Sequence, residues 1–187
     1  DSFGNDGVLG RGVFGSIGDD ETPGSIPPVD VGATVRDLAA ATTTTCAVTT
    51  AGKVRCWGRA FEGKLGYANN RTIGDNETPG SAGPVNLGVG RTATAVTAGY
   101  NHTCALLDDG TVRCWGANNF GQLGYANTTI IGDNETPGSV GPVDLGAGRT
   151  ATAITAGEYD TCAVLDNGTV RCWGTNGNGQ LGYANTT

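Results

Sequence analysis

The sequence predicts an all-β protein built of tandem repeats, and three observations carry this prediction. A segment occurs three times with nearly the same residues, at Thr45–Gly58, Thr103–Gly116 and Thr161–Gly174. Corresponding residues of the copies are 58 residues apart, and a constant period is the signature of a repeat architecture. No stretch shows a sustained helical period of apolar residues with capping residues at its ends. Fold and function are therefore analysed repeat by repeat.

Each repeat contains four short strand candidates. The first is a Pro-Val segment in which proline marks the start or an edge of a strand, at Pro28–Val31, Pro84–Leu87 and Pro142–Leu145. The second is a run of small and β-branched residues, at Val35–Ala40, Thr92–Ala98 and Thr150–Ala156. The last two are the arms of the repeated segment, where two apolar runs flank a glycine-containing turn, as in a β-hairpin.

The turn of the repeated hairpin sets its register. If Asp108, Asp109 and Gly110 form a three-residue loop with the glycine in the left-handed conformation, Cys104 faces Cys114. Directly opposed residues are close enough for a disulfide after slight adjustment. We therefore predict three hairpin disulfides, with free buried thiols as the main alternative, and the predicted pairs are Cys46 with Cys56, Cys104 with Cys114, and Cys162 with Cys172.

Zinc binding is a weaker alternative for the six cysteines. Structural zinc takes four ligands, usually in closely spaced pairs. Each repeat has only two cysteines, with nine residues between them, and the chain has a single histidine, His102. Disulfides form in oxidising compartments, so we expect an extracellular or cell-surface protein.

The charge of the chain argues against several partners. The net charge is −7, with only 11 Lys and Arg residues and no basic cluster. Nucleic acids and anionic lipid surfaces attract Lys and Arg, and no apolar run is long enough for a membrane helix. We expect neither nucleic-acid binding nor membrane insertion. The start at Asp1 without Met indicates a processed or excised chain, in which any targeting segment was removed or never included.

The repeat pattern favours a β-propeller over a sandwich or a helical solenoid. Four short strands, frequent glycine, and a tryptophan at the same phase of each repeat are typical of a propeller blade. The stretch His102–Gly124, HTCALLDDGTVRCWGANNFGQLG, resembles the RCC1 repeat (regulator of chromosome condensation type), especially the cysteine-bearing version of secreted and surface bacterial proteins. The resemblance extends through the chain in three phases. It implies a β-propeller, commonly seven-bladed, with four-stranded antiparallel blades.

Two features depart from that family. The repeat is longer than usual, mostly through the GDNETPGS segment, and about three blades are too few for a closed ring. The predicted division is a partial repeat at 1–24 and three repeats at 25–82, 83–140 and 141–187, the last incomplete at its C-terminal loop. Thr175–Thr187 matches the repeat phase of the beginning of the chain. Head-to-tail assembly into a ring or filament is therefore one hypothesis, beside an open array or a larger propeller.

Acidic side chains in the inserted segment are weak calcium candidates. Asp75, Glu77, Asp133 and Glu135 lie beside a glycine and carry oxygen ligands suited to Ca²⁺. They lack the ligand spacing of a known calcium loop, so turns in which the carboxylates cap backbone N–H groups are the favoured interpretation. No cofactor is predicted.

Catalysis has little support in the sequence. His102 is aligned with Thr44 and Asp160, so it is not part of a repeated site and is interpreted as a surface or strand-edge residue. Asp108 and Asp109 could act as an acid and a base, but their place in a hairpin turn favours solvation. No serine lies in a nucleophile-elbow context. We predict that the protein is not an enzyme.

The remaining candidates lie on the predicted surface. Glycan attachment is considered at Asn101, Asn127, Asn185, Thr43 and Thr44. Positions that differ between repeats while the scaffold stays constant are candidates for partner binding, namely Arg59, Phe61, Tyr100, Phe120 and Tyr159. The sequence thus predicts a non-catalytic extracellular scaffold whose partner is itself or another protein. The alternative is a protein-binding module, such as an inhibitor-like or adhesion module, within a larger propeller.

Overall fold

The computed structural model describes residues 7–12 and 15–184. In this part of the chain the strands form three antiparallel sheets, each of three strands in sequence order. They are β1 (Val35–Ala40), β2 (Thr44–Thr49), β3 (Val54–Gly58), β4 (Ala93–Ala98), β5 (His102–Leu107), β6 (Val112–Gly116), β7 (Ala151–Ala156), β8 (Asp160–Leu165) and β9 (Val170–Gly174). Short 3₁₀ turns occupy Pro23–Ser25, Phe61–Gly63, Pro79–Ala82 and Pro137–Ser139. None of the described helices has the length and apolar character needed to cross a membrane.

The hairpins have the register that the turn predicts. Gly110 has φ of 76° and its N–H donates to the carbonyl of Leu107 at 3.0 Å. Cys104 and Cys114 are therefore directly opposed in the ladder and are joined by a disulfide, with Cα atoms 4.1 Å apart. The other two pairs, Cys46–Cys56 and Cys162–Cys172, have the same register and are also bonded.

The sheets pack face to face in chain order, so the core lies between successive sheets. β4 packs on β1 and β2, and β7 packs on β4 and β5. In the first sheet Val48 and Val54 are fully buried by the next sheet. In the third sheet the corresponding Val164 and Val170 are 37% and 56% exposed. Among the described residues, the apolar face of β7–β9 is therefore left uncovered.

The prediction of four-stranded blades is wrong, because the Pro-Val segment does not become a strand. Val85 donates its N–H to Val54 of β3 at 2.8 Å, so the segment lies along the outer edge of the preceding hairpin. Pro84 has no N–H to donate. The carbonyl of Asn86 accepts from Gly138 of the next repeat at 2.8 Å instead of continuing along β3. A ladder needs several bonds to one neighbour, so this segment stops after a single contact with the sheet.

The long loop after each hairpin is held by internal hydrogen bonds. Gly116 exchanges two backbone hydrogen bonds with Ile131, at 2.6 and 3.3 Å. The guanidinium of Arg113 donates to the carbonyl of Pro137 at 2.8 Å and thereby anchors the inserted turn to β6. Leu123, which belongs to this loop, is fully buried. The loop is consequently fastened to the sheet and to the core of the repeat.

Candidate protein-binding face

Loops at one end of the three sheets form a common surface. In each sheet the second and third strands are antiparallel. The turn before the second strand therefore lies beside the loop that follows the third strand. Arg59 donates its N–H to the carbonyl of Thr43 at 2.9 Å, and Ala117 donates to Asn101 at 2.8 Å. We call this surface, formed by residues 41–43, 59–63, 99–101, 117–121 and 157–159, the loop face.

The loop face contains every partner-binding candidate that the sequence suggests, in two groups. Arg59 and Phe61 form one group, with the guanidinium carbon 5.8 Å from the centroid of the phenyl ring. Tyr100, Phe120 and Tyr159 form the other, which we call the aromatic cluster. Phe61, Tyr100 and Phe120 are 52%, 41% and 53% exposed. The positions that vary between repeats therefore lie on one surface, although they belong to three different repeats.

Tyr159 is the centre of the aromatic cluster. Its ring centroid is 5.8 Å from that of Tyr100 and 5.2 Å from that of Phe120. Both pairs are edge-to-face, an arrangement that the quadrupoles of the rings favour. The edge-to-face geometry holds the three rings together while Tyr100 and Phe120 remain open to solvent.

A polar network fixes the loops beneath the aromatic cluster. Lys64 is buried, and its Nζ donates to Oγ1 of Thr43 at 2.7 Å and to Oδ1 of Asn101 at 3.0 Å. The Nδ2 of Asn101 donates in turn to the Glu62 carboxylate at 3.2 Å. Because these residues come from the first and second repeats, the network joins two neighbouring blades. It also holds the Glu62 carboxylate on the loop face.

Two carboxylates lie near the aromatic cluster. Partial loss of water around the Tyr159 hydroxyl raises the pKa of Tyr159, and the negative charge of Glu158 and a hydrogen bond with its side chain raise it further. Tyr100 and Glu62 make smaller contributions in the same direction. Sequence reasoning missed Glu62 and Glu158. They occupy the same positions of their repeats as Phe120 and Tyr100, so the variation that identified the aromatic residues could have identified them as well.

A cleft of about 410 Å³ opens beside the aromatic cluster. Its walls include Tyr100 and Glu158, and the rest of its lining is small, comprising Ala41, Thr42, Ala98, Gly99, Ala156 and Gly157. These residues are at the ends of the strands β1, β4 and β7 and in the turns that follow them. The loop face thus combines exposed rings, carboxylates and an adjacent opening.

His102 is not the surface or strand-edge residue that the sequence suggests. Its side chain is 1% exposed and lies between the second and third sheets, with Nε2 2.9 Å from Oγ1 of Thr161. It fits there because Gly99 presents no side chain, and a Cβ on Gly99 would overlap the imidazole. Burial lowers the pKa of His102 to about 4. A neutral, enclosed imidazole packs between blades and is not accessible to a substrate.

Asp108 and Asp109 hold the hairpin turn together. Both carboxylates form ion pairs with Arg91. Asp108 also accepts from the N–H of Thr92 at 3.0 Å, and Asp109 accepts from the N–H of Thr111 at 3.1 Å. These contacts agree with the interpretation of the pair as turn residues.

The calcium candidates make contacts of the kind expected for turns. The carboxylate of Asp75 accepts from the N–H of Asn76 at 3.0 Å, and Glu77 pairs with Arg71 at 3.4 Å. The Glu135 carboxylate accepts from Asn134 at 3.3 Å, and Asp133 occupies the same turn of the second inserted segment. In residues 7–12 and 15–184, one group of three acidic side chains has carboxylate oxygens within 4.8 Å of one another. It consists of Asp19, Asp20 and Glu21, which correspond to the inserted turn near the start of the chain. Calcium binding stays the weaker alternative to the interpretation of these residues as turns.

The glycan candidates differ in accessibility. Thr43 and Thr44 are buried, so the structure has no room for a sugar on either hydroxyl. The amide of Asn101 is engaged by Glu62 and Lys64, as described above. Asn127 is exposed, and Asn185 lies outside the described residues.

The stacked antiparallel sheets, with loops gathered at one end, define a β-propeller-type repeat protein. Residues 93–122 and 151–180 match one model of the regulator of chromosome condensation (RCC1) repeat, and residues 109–164 match a second. The chain belongs to the RCC1-like repeat family, which confirms the resemblance seen in the sequence.

Relatives with this repeat are much longer than the chain. The chain is 32% identical over 179 residues to the mitochondrial RCC1 domain-containing protein RUG3 of Arabidopsis thaliana, and 28% identical over 178 residues to the ultraviolet-B receptor UVR8 of the same plant. The matches cover 92% and 93% of this chain but 38% of each relative. The chain therefore spans well under half the length of these proteins.

Solved structures support the fold. Human WBSCR16 superposes with a TM-score of 0.72 over 99% of this chain and 48% of its own, at 20% identity. Prp20p from Saccharomyces cerevisiae superposes with a TM-score of 0.62 over 81% of this chain and 35% of its own, also at 20% identity. At this level of identity the similarity establishes the architecture alone.

Proposed function

We propose that this RCC1-like propeller segment is a non-catalytic protein-binding module, and that the loop face holds the partner. The observation that carries the proposal is the aromatic cluster, in which Tyr100 and Phe120 are exposed around Tyr159. Tyrosine and other aromatic residues are enriched in the parts of interfaces that contribute most binding energy. Prp20p binds Gsp1p and histones, which supports protein recognition as a use of this architecture.

The positions of the titratable candidates support a function without catalysis. His102 is enclosed between blades, and Asp108 and Asp109 are engaged in the hairpin turn. The three disulfides support a location outside the cell or at its surface, since such bonds persist in oxidising compartments. A rigid, disulfide-bonded scaffold would present the loop face with little loss of conformational entropy on binding.

A comparison of two variants tests the proposal. The first replaces Tyr100, Phe120 and Tyr159 by Ala. The control, Val89→Ser, alters an exposed side chain in the turn before β4, at the opposite end of the sheets. Immobilised protein is exposed to secreted and surface proteins of the source cells, and retained proteins are quantified by mass spectrometry. We expect at least one protein that the parent and the control retain and the triple variant loses. Equal retention by all three would contradict the proposal.

A second candidate function, a self-assembling scaffold, is favoured by the uncovered face of β7–β9. Ile154, Val164 and Val170 line an apolar cleft of about 180 Å³ on this face. Because the corresponding faces of the first two sheets are covered by the next sheet, a second copy could cover this one with its first sheet. Such a head-to-tail contact gives a ring if the rotation closes and a filament if it does not.

Light scattering and electron microscopy test this second candidate. We expect the mass to increase with protein concentration, and the variant Val170→Glu to remain monomeric because it places a charge on the contact. The control Val89→Glu should assemble like the parent. A parent protein that stays monomeric at high concentration would rule out assembly as its function.

A further inference from the structure

We propose that the loop face recognises a lysine or arginine side chain of the partner, seated against the aromatic cluster and between the carboxylates of Glu62 and Glu158. The inference rests on the proposed function, since it names the chemistry of the partner that the loop face would bind. A flexible, basic segment of a protein is the occupant that this chemistry fits.

The aromatic part of the site suits a cation. A guanidinium or ammonium group is attracted to the face of an aromatic ring within about 6 Å of its centroid. Tyr159 meets both neighbours edge to face, and Tyr100 and Phe120 remain exposed. Elsewhere on the loop face, Arg59 already lies over the Phe61 ring at 5.8 Å. The chain itself therefore shows this contact on the same surface.

The two carboxylates supply the matching charge. Glu62 is fixed by Asn101 Nδ2 at 3.2 Å, and the orientation of that amide is set by Lys64 on its oxygen at 3.0 Å. Glu158 is placed by its backbone, whose carbonyl accepts from the N–H of Tyr100 at 3.1 Å. The ion pairs of Arg71, Arg91 and Arg149 are made with other carboxylates. Glu158 is exposed and Glu62 is half-buried, so a cation from outside the chain can approach both carboxylates.

An uncharged apolar partner fits the site less well. It would remove water from Glu62 and Glu158 without compensating their charge, which costs free energy. An anionic partner would be repelled by them. The cleft of about 410 Å³ beside Tyr100 and Glu158 is lined otherwise by small residues and has room for the aliphatic stem of Lys or Arg. The net charge of −7 further favours the approach of a basic segment.

Nuclear magnetic resonance titration of the full chain with short peptides tests the inference. The probes are Gly-Ser peptides that carry two Arg or two Lys residues, and matched peptides that carry Gln or Glu at the same positions. We expect the Arg and Lys peptides to shift the signals of residues 62, 100, 120, 158 and 159 and to bind more weakly as salt is added. The Gln and Glu peptides should cause no saturable shift. Equal binding of the Gln peptide would overturn the inference.

A matched pair of variants identifies the carboxylates as the cause. The double variant Glu62→Gln, Glu158→Gln keeps the size of both side chains. The amide at position 62 still has an oxygen that can accept from Asn101, so the fold should be retained. We expect about fivefold weaker binding or more, because two charge contacts at the surface are lost. The control is Glu135→Gln, in an inserted turn. Unchanged affinity in the double variant would overturn the inference.

The same double variant separates this inference from the proposed function. If a protein retained through the aromatic cluster still binds the Glu62→Gln, Glu158→Gln variant at full strength, the loop face binds protein but not through a cation. If that protein is lost from both the double and the triple variants, and remains on Glu135→Gln, the inference is supported. If no protein depends on the aromatic cluster, the proposed function fails, and the peptide titration alone decides whether the loop face accepts cations.

Discussion

The indole Nε1 of Trp115 donates a hydrogen bond of 3.0 Å to the carbonyl oxygen of Lys64, in the loop of the preceding repeat. Thr103 Oγ1 donates to the same oxygen at 2.9 Å. The next repeat has the same arrangement, in which Trp173 and Thr161 donate to the carbonyl of Gln122 at 2.9 and 3.0 Å. The tryptophan of each of these hairpins therefore binds the carbonyl just before a Leu-Gly pair of the preceding repeat, and this hydrogen bond joins two neighbouring blades.

Loss of this contact should weaken the packing between blades. Trp115→Phe keeps an aromatic ring but removes the donor to Lys64, and it leaves a smaller side chain at a fully buried site. We expect a decrease of about 1–3 kcal/mol in the free energy of unfolding, measured by urea denaturation. Trp173→Phe loses the equivalent hydrogen bond to Gln122 at a site that is only half-buried, so we expect a smaller decrease there. An unchanged free energy of unfolding in Trp115→Phe would contradict this account.

Glycine is required where the chain crosses the indole. Gly66 has φ of +80°, and a Cβ there would lie 2.7 Å from Nε1 of Trp115. We expect Gly66→Ala to destabilise the protein by about 2–5 kcal/mol, because the left-handed backbone and the overlap both cost free energy. The matched control is Gly148→Ala, which has φ of +69° and open space around its Cβ. It should show the backbone cost alone, and an equal effect of both substitutions on thermal unfolding would refute the role of the indole.

The hairpin disulfides should contribute substantially to stability. Replacing both Cys104 and Cys114 by Ser opens a loop closed by residues 10 apart in sequence. We expect a loss of about 3 kcal/mol or slightly less in the chain-entropy model, seen as a lower thermal unfolding temperature. Reduction should reach Cys162–Cys172 first, because that pair is half-buried whereas the other cysteines are fully buried. No change in unfolding after complete reduction would contradict the prediction.

Stability should fall on acidification because of His102. Its pKa is lowered by burial from 6.5 to about 4, so the unfolded chain binds a proton that the folded chain does not bind between these values. Stability from this residue is complete above about pH 6.5, decreases as the pH falls toward 4, and then levels off. The full loss is about 3 kcal/mol.

Comparison with His102→Thr isolates this effect, since Thr44 occupies the same position in the first repeat. Chemical denaturation of both proteins from pH 7.5 to 4 should show a difference in stability that shrinks as the pH falls. A difference that does not depend on pH would show that the folded protein accommodates the charged imidazole.

Much of the local structure follows from residues that are close in sequence. The hairpin register could be predicted because a three-residue turn with left-handed Gly110 leaves one pairing for Cys104 and Cys114. Loss of the fourth strand could not be predicted from the Pro-Val pattern alone. It depends on the carbonyl of Asn86, which is drawn to Gly138 in the following repeat.

In the candidate site, too, some features could be predicted from the sequence and others depend on contacts between repeats. Variation between repeats identified Tyr100, Phe120 and Tyr159, because the constant hairpin made every departure visible. It did not show that these rings touch, nor that Glu62 is held beside them through Asn101.

By itself, the sequence determined the repeat period, the all-β class, the family, the hairpin register and the disulfide pairing. These features rest on turn geometry and on spacing within one repeat, which act over a few residues. Only the tertiary structure decided the burial of His102, the three-stranded sheets, the contact of Trp115 with Lys64 and the assembly of the loop face. Each of these depends on how one blade packs against the next, and the contacts involved join residues from different repeats.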